Sequence, residues 1–260
     1  QGTFSGHGFG LLEHNIALTA PIRYPSLMAT SARDSFAFEA FSAPHLAALA
    51  VIGLAGVLVF RLGRTLGPSG RKTAGWLLAL LILGYGGAVY SRQALAWGLD
   101  WAWSLPLDLC NLTLIVCVAA LWRPRPLWVE WAYYLGLGGG VQALATPDLA
   151  GGGWDFVLFF WGHGVVLAAV LFLVSGRAFA MRPGAVGRMM LGLNLYALAV
   201  GALNAAAGWN YGYLCRKPSA PSLLDHLGPW PWYLLALEGI ALATFLVLDL
   251  PWRLRRGLKP

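Results

Sequence analysis

Long apolar runs separated by short polar stretches dominate the pattern of this chain. Seven windows of about 20 mainly apolar residues are each long enough to cross roughly 30 Å of hydrocarbon as a helix. They lie at residues 44–62, 73–91, 104–122, 126–146, 154–175, 186–208 and 231–250. The pattern therefore predicts an all-α, polytopic membrane protein with seven transmembrane helices, in which short loops make neighbouring helices antiparallel.

Composition supports a membrane location and argues against a soluble globule. Hydrophobic residues make up 58% of the chain and charged residues only 11%, too few to coat a water-exposed surface. The net charge of +7 comes from basic residues in short stretches between apolar runs. We interpret these residues as topology signals and expect no nucleic-acid partner.

The distribution of Lys and Arg predicts the orientation in the membrane. Of the 18 basic residues, 13 lie in the odd-numbered loops and the tail, whereas five lie before the first helix or in the even-numbered loops. Because positive residues accumulate on the cytoplasmic side, we expect the N-terminus outside and the C-terminus inside. The cell membrane is the expected location, and the oligomeric state is left open.

The first 40 residues differ from the rest of the chain. They are mixed in polarity, contain Pro21 and Pro25 with several Gly and Ser, and lack the apolar core of a signal peptide. We expect residues 1–40 to form an extracytoplasmic segment before a seven-helix domain at 41–260. Because the chain begins with Gln1 rather than Met, we expect a trimmed or partly vector-derived start.

Ionisable residues within the predicted helices indicate a site, because such groups are costly in hydrocarbon unless paired or functional. At 1.5 Å per residue, Asp108 and Cys110 lie about 6–9 Å below the outer helix end. Glu238 lies about 10 Å deep and His163 about 13 Å deep on the same scale. Further polar residues on this side are His45, Asn111, Gln142, Asn204 and Asn210. We therefore predict an outward-opening site shared by several helices.

Cys110 is the candidate nucleophile. It falls in the second turn of the third predicted helix, where the helix N-terminus favours a thiolate. Helical spacing places Thr113 and Cys117 on its face, whereas Asp108 points about 200° away and aligns better with Asn111. The alternative, a buried cysteine that acts as a small hydrophobic residue, stays open from the residues alone.

His163 is the candidate general base. As an imidazole at this depth it can deprotonate Cys110, and Glu238 can orient its ring, as in covalent acyl transfer. The flanking Gly162 and Gly164 allow a neighbouring helix or an acyl chain to approach closely. The alternatives are an interhelical hydrogen bond for His163 and, for Glu238, a protonated carboxyl group satisfied by Asn204 or Tyr211.

Two rival chemistries are weaker. His45, Asp108 and the three candidate catalytic residues include zinc-ligand types, but no pair has an i, i+4 or CxxC relation. We therefore expect no metal and no cofactor. A retinal Schiff base requires a lysine within a helix, whereas Lys72, Lys217 and Lys259 all lie in loops or the tail.

The loop from residue 210 to 233 is a candidate headgroup site. Arg216 and Lys217 lie close to Tyr211 in sequence, and this arrangement suits the phosphate of a membrane lipid. Plain interfacial anchoring by the tryptophans is the alternative. The predicted substrate-binding residues are His45, Asp108, Asn111, Gln142, Asn204, Asn210, Tyr211, Arg216, Lys217 and His226.

Five stretches of the chain resemble the YwaF-like family of bacterial integral membrane proteins over residues 36–252. The GPWPWY-containing stretch is the most specific. The stretches are FEAFSAPHL at 38–46, LPLDLCN at 105–111, FWGHG at 160–164, residues 210–218, and SLLDHLGPWPWY at 222–233.

That family is similar to eukaryotic transmembrane acyltransferases that move acyl chains between phospholipids. The resemblance implies that Cys110 takes the acyl group as a thioester and that His163 assists it. It implies no role for Glu238. We expect an acyltransferase or transacylase acting on a phospholipid ester, and the alternative is a non-catalytic membrane protein, a transporter or receptor, that binds a lipid or small solute.

Overall fold

The computed structural model describes residues 38–147, 149, 153–176, 179–218 and 223–257. Most of the predicted N-terminal segment at 1–40, and Lys259, lie outside the described residues. The described part contains α-helices and short 3₁₀ turns at Tyr211–Tyr213 and Leu223–Leu227, without a strand. Its seven α-helices are α1 (Ala43–Thr65), α2 (Pro68–Trp97), α3 (Leu109–Trp122), α4 (Pro126–Ala145), α5 (Trp154–Val174), α6 (Ala185–Ala207) and α7 (Trp232–Gly257).

Five of these helices, α1, α2, α5, α6 and α7, are long and apolar enough to span a bilayer. In α1, α6 and α7 only 17% of the most apolar window is buried inside the protein. Their large apolar side chains therefore point outward, as lipid-facing residues do and as those of a soluble protein rarely do in such numbers. The chain is a multi-helix membrane protein.

The helix α3 is shorter than the sequence predicts. It begins at Leu109 rather than residue 104, and its 14 residues reach only about 21 Å at 1.5 Å per residue. Side chains before it stabilise a turn instead: the Asp100 carboxylate accepts from Ala102 N at 2.8 Å, and the Ser104 hydroxyl accepts from Asp100 N at 2.9 Å. Such local bonds compete with a helix.

Helix α5 lies at the centre of the bundle formed by α1 to α5. Half of its most apolar window is buried, and it contacts each of α1 to α4. Glycines permit this packing: a Cβ at Gly162 would lie 2.3 Å from the ring of Tyr85, and one at Gly164 would lie 3.0 Å from Ile52. The glycines that flank His163 therefore admit neighbouring helices, α2 and α1.

Helices α6 and α7 pack against each other and against α4. At the end of the bundle where α3 ends and α4 begins, buried carboxylates connect these elements. Glu130, 1% exposed, binds Arg182 and Arg188 at 2.8–3.2 Å. Asp249, 2% exposed, accepts from Tyr134 at 3.2 Å and Arg253 at 2.6 Å.

Candidate functional site

A cavity of about 90 Å³ lies between α2, α3, α4 and α5, and it contains both Cys110 and His163. Most of its wall is apolar, so the few polar groups in it stand out. The lining residues are Tyr85, Leu109, Cys110, Thr113, Leu114, Leu135, Gly139, Gly140, Gly162, His163 and Val166.

The short α3 explains how these two residues meet. His163 lies nine residues into α5, about 13 Å along its axis, whereas Cys110 is the second residue of α3. Because both line one cavity, the N-terminus of α3 lies well within the span of α5. Cys110 is therefore in the first turn of α3 and not in the second, as the sequence suggested.

The His163 ring is oriented by its own helix. Its Nδ1 lies 2.9 Å from the Phe159 carbonyl oxygen, and a carbonyl can only accept, so Nδ1 carries the proton. The Phe159 ring packs against the imidazole with centroids 4.2 Å apart. In the neutral ring Nε2 then keeps its lone pair, and it has no hydrogen-bond partner among the described residues. This tautomer is the one that a general base requires.

Cys110 is exposed at the N-terminal end of α3. Asp108 occupies the N-cap position but makes no side-chain cap; its carboxylate instead accepts from Gly212 N at 2.8 Å. The Asp108 carboxylate therefore does not bind the N–H groups in the first turn of α3. The positive end of the helix dipole remains next to Cys110. Thr113 also lines the cavity, whereas Cys117 is fully buried in the core.

No hydrogen bond joins Cys110 to His163 in the part of the chain that the structure describes. Both side chains border the same small space, so one bridging group or water can connect them. Catalytic hydrogen bonds are often long before substrate binds and shorten in the complex.

The structure does not bring Glu238 to His163. The Glu238 carboxylate accepts from the side-chain amide of Asn194 at 2.5 Å, and it does not line the cavity. The predicted alternative partners, Asn204 and Tyr211, do not bond to it either. Helix α7 packs chiefly against α4 and α6, so Glu238 faces α6, and the Phe159 carbonyl orients the imidazole of His163 instead.

His45 is also not part of this cavity. It is fully buried, and both of its ring nitrogens have backbone partners: Nδ1 accepts from Phe41 N at 2.8 Å, and Nε2 donates to the Leu144 carbonyl at 2.9 Å. It therefore joins the start of α1 to the end of α4, and neither ring nitrogen is left to bind a substrate.

Asn204 and Tyr211 hold loops together instead of lining the cavity. The Asn204 amide binds both N and O of Tyr211 at 3.0 and 2.9 Å. The Tyr211 hydroxyl donates to Trp101 O at 2.6 Å and accepts from Leu105 N at 2.9 Å. Burial raises the pKa of Tyr211, so this hydroxyl stays protonated and fixes the non-helical segment before Cys110.

The other predicted binding residues also lie away from the cavity. The Asn210 amide bonds to backbone groups of Cys215 and Arg216, and so closes its own loop. Gln142 and His226 are exposed, and Asn111 is half-buried. Lys217 lies 3.8 Å from Asp225 and 5.7 Å from the ring centroid of Tyr233. Headgroup binding by Arg216 and Lys217 stays a prediction.

Tyr85 is a cavity residue that the sequence did not single out. Its ring packs on Trp161, with ring centroids 6.1 Å apart, and against Gly162, and it lines the cavity together with Cys110. The sequence does show that Gly162 leaves space for a large side chain from another helix. It does not show which helix faces Gly162, and so it could not point to Tyr85. Among the described residues, no group of three or more His, Cys, Asp or Glu could hold a metal ion.

A family model of transmembrane proteins matches residues 40–249. This chain belongs to the TMEM164 family. No curated protein and no solved structure matches the chain. The matched region begins just before α1 and ends within α7, so it includes the whole cavity together with Cys110 and His163.

Proposed function

We propose that this protein is a membrane-embedded acyltransferase or transacylase that takes an acyl group from a phospholipid ester onto Cys110. The observation that carries the proposal is the cavity in which Cys110 faces a histidine with an unprotonated Nε2. The resemblance to YwaF-like proteins, and through them to acyltransferases with a cysteine nucleophile, supports the same two residues.

The chemistry requires two displacements. His163 Nε2 takes the Sγ proton, the thiolate attacks the ester carbonyl, and the carbon–oxygen bond breaks as the imidazolium protonates the leaving lysolipid alcohol. An acceptor alcohol then loses its proton to Nε2 and attacks the thioester. The carbon–sulfur bond breaks, and the thiolate regains the proton from His163.

The cavity is smaller than most ligand sites, which span roughly 300–1,000 Å³. It therefore suits the reacting ester and the start of one acyl chain along Leu114, Leu135 and Val166, while the rest of the lipid stays in the bilayer. The Tyr85 hydroxyl and the first-turn N–H groups of α3 are the available donors for the oxyanion of the tetrahedral intermediate.

Topology forms part of the proposal: all seven helices cross the cell membrane, with the N-terminus outside and the C-terminus in the cytoplasm. The excess of basic residues at one end of the bundle supports this orientation. Labelling of a cysteine placed in the C-terminal tail should then require membrane permeabilisation, and labelling from outside intact cells would contradict the orientation.

A non-catalytic protein that binds a lipid or small solute is the second candidate. The observation in its favour is the lack of a hydrogen bond between Cys110 and His163 among the described residues. A binder of this kind uses the same polar groups as ligand contacts and forms no covalent intermediate.

A labelling experiment separates the two candidates. Purified protein is incubated with a panel of phospholipids that carry alkyne-tagged acyl chains, and lysolipid release is followed by mass spectrometry. We expect label on the wild type and on the Cys215→Ser control, and none on Cys110→Ser, because a serine hydroxyl is far harder to deprotonate. Tight lipid binding without label or lysolipid would favour the binding protein.

A further inference from the structure

A second cavity, of about 590 Å³, lies at the opposite end of α3 from Cys110. It is bordered by the end of α1, the starts of α2 and α4, the end of α5, and Gly176, Phe179, Ala180 and Arg182. Three arginines line it, Arg64, Arg71 and Arg182, together with apolar side chains such as Val129 and Leu173. Its volume is in the range of ligand sites.

The arginines of this cavity are not neutralised within the described residues. Arg71 binds only uncharged acceptors: the Gly63 carbonyl, the Ser175 hydroxyl at 3.1 Å and the Phe172 carbonyl at 3.3 Å. Arg64 has its guanidinium 5.9 Å from the Phe60 ring centroid and forms no salt bridge in the described part of the chain. The cavity therefore has an excess of positive charge.

Arg182 does have a carboxylate partner, but it shares that partner. Its Nε and Nη2 each lie 2.8 Å from Glu130, which also binds Arg188. One buried carboxylate thus faces two guanidinium groups, and a positive charge remains at the wall. The side chain of Arg182 is 43% exposed and can contact a further anion.

Two helix N-termini add to this positive field. Pro68 and Pro126, the first residues of α2 and α4, both line the cavity. Neither helix has a side-chain cap at its N-terminus. Proline has no N–H group to offer, but the partial positive charge of each helix N-terminus still attracts anions.

We propose that this cavity binds a phosphate group, in particular that of an anionic phospholipid headgroup. Guanidinium groups match phosphate geometry, and basic pockets between helices at the membrane surface hold such headgroups. The apolar side of the cavity, at Val129, Leu173 and Phe179, suits the start of the acyl chains of a lipid better than a fully hydrated soluble anion. The proposal is independent of any chemistry at Cys110.

The test measures binding of dioctanoyl phosphatidic acid to the full chain in a neutral detergent by native mass spectrometry. Dioctanoylglycerol, which lacks the phosphate, is the matched ligand control. Two variants alter the cavity: Arg64→Gln removes a cation that makes no hydrogen bond to the described residues, and Ala180→Glu adds a carboxylate at an exposed lining position. Arg255→Gln is the matched protein control, because Arg255 is exposed and also lies over a ring, 5.2 Å from Trp252.

We expect saturable binding of phosphatidic acid and not of dioctanoylglycerol, weakened about five- to tenfold by Arg64→Gln and at least as much by Ala180→Glu. Arg255→Gln should leave it unchanged. If inorganic phosphate competes at similar concentrations with the same variant dependence, the site is one for soluble phosphate. Equal binding of both lipids, or no difference between the cavity variants and Arg255→Gln, would overturn the proposal.

Discussion

The two ends of α3 contain opposite kinds of polar chemistry. At its start, Cys110 and His163 border a small cavity, and neither the thiol nor the imidazole Nε2 has a partner among the described residues. Beyond its end, the buried carboxylates of Glu130 and Asp249 are each bound by two arginines. The two ends therefore differ in the hydrogen-bonding capacity that remains: side chains at the cavity keep it, and the buried carboxylates have used it.

The two intramembrane histidines show the same contrast. His45 uses both ring nitrogens on backbone groups and is fully buried, whereas His163 uses one and directs the other toward an open space. Substitution of His45 should therefore affect mainly stability, and substitution of His163 mainly chemistry.

The largest effect should follow from the loss of His163. We expect His163→Ala to lower acyl transfer at least about a thousandfold, and the double variant with Cys110→Ser to be little worse, because residues that act as one unit are strongly non-additive. The rate of thioester formation is measured for both variants. Independent, multiplicative losses in the double variant would show that the two residues do not act together.

At the opposite end, Glu130→Gln should affect stability. The substitution leaves two guanidinium groups facing a neutral amide, and we expect it to lower the free energy of unfolding by about 2–3 kcal/mol. This is below the usual cost of breaking a buried ion pair, because both arginines are partly exposed. Thermal unfolding in detergent measures this loss.

Asp225→Asn, at a partly exposed pair 3.8 Å apart, is the comparison and should cost less than about 1 kcal/mol. Equal losses for the two variants would mean that the buried carboxylate has no special structural role.

Filling the cavity should have a smaller effect on activity than removing the base. Gly140 lines it, and a Cβ added there meets nothing within 4 Å, so Gly140→Val has room and takes up space for the ester. We expect about a tenfold loss in labelling rate.

Gly87→Val controls for helix propensity, because Gly87 is also helical and open but outside the cavity. An unchanged rate in Gly140→Val would indicate that the substrate does not enter this cavity.

The smallest effect should come from Glu238→Gln. Its carboxylate accepts from Asn194 and not from His163, and a glutamine can keep that hydrogen bond. We expect the labelling rate to change less than about twofold, because Glu238 does not line the cavity and the substitution only replaces a charged hydrogen bond by a neutral one. A loss close to that of His163→Ala would restore Glu238 as the group that orients the imidazole.

The helices were largely predictable from sequence, because an apolar stretch long enough to cross a bilayer can be recognised from hydropathy along the chain alone. The start of α3 was not. Residues 101–105 are apolar enough to extend the window, and the bonds made by Asp100 and Ser104 that turn the chain there cannot be recognised from hydropathy.

The site was predictable only in part. Depth along the helices selected Cys110 and His163 together, but depth gives neither the rotation of a helix nor its neighbours. Glu238 lies at a similar depth on a helix that packs against α4 and α6, and Tyr85 reaches the cavity only because Gly162 leaves space for it. Both facts depend on packing between distant segments.

The intact mass of the purified protein after incubation with phospholipid, before and after hydroxylamine, tests the central claim most directly. We predict a mass increase of one acyl chain that hydroxylamine removes, that peptide mapping assigns to Cys110, and that is lost in both Cys110→Ser and His163→Ala. An unmodified mass across a broad panel of phospholipids that bind tightly would contradict the thioester mechanism and leave a lipid-binding protein.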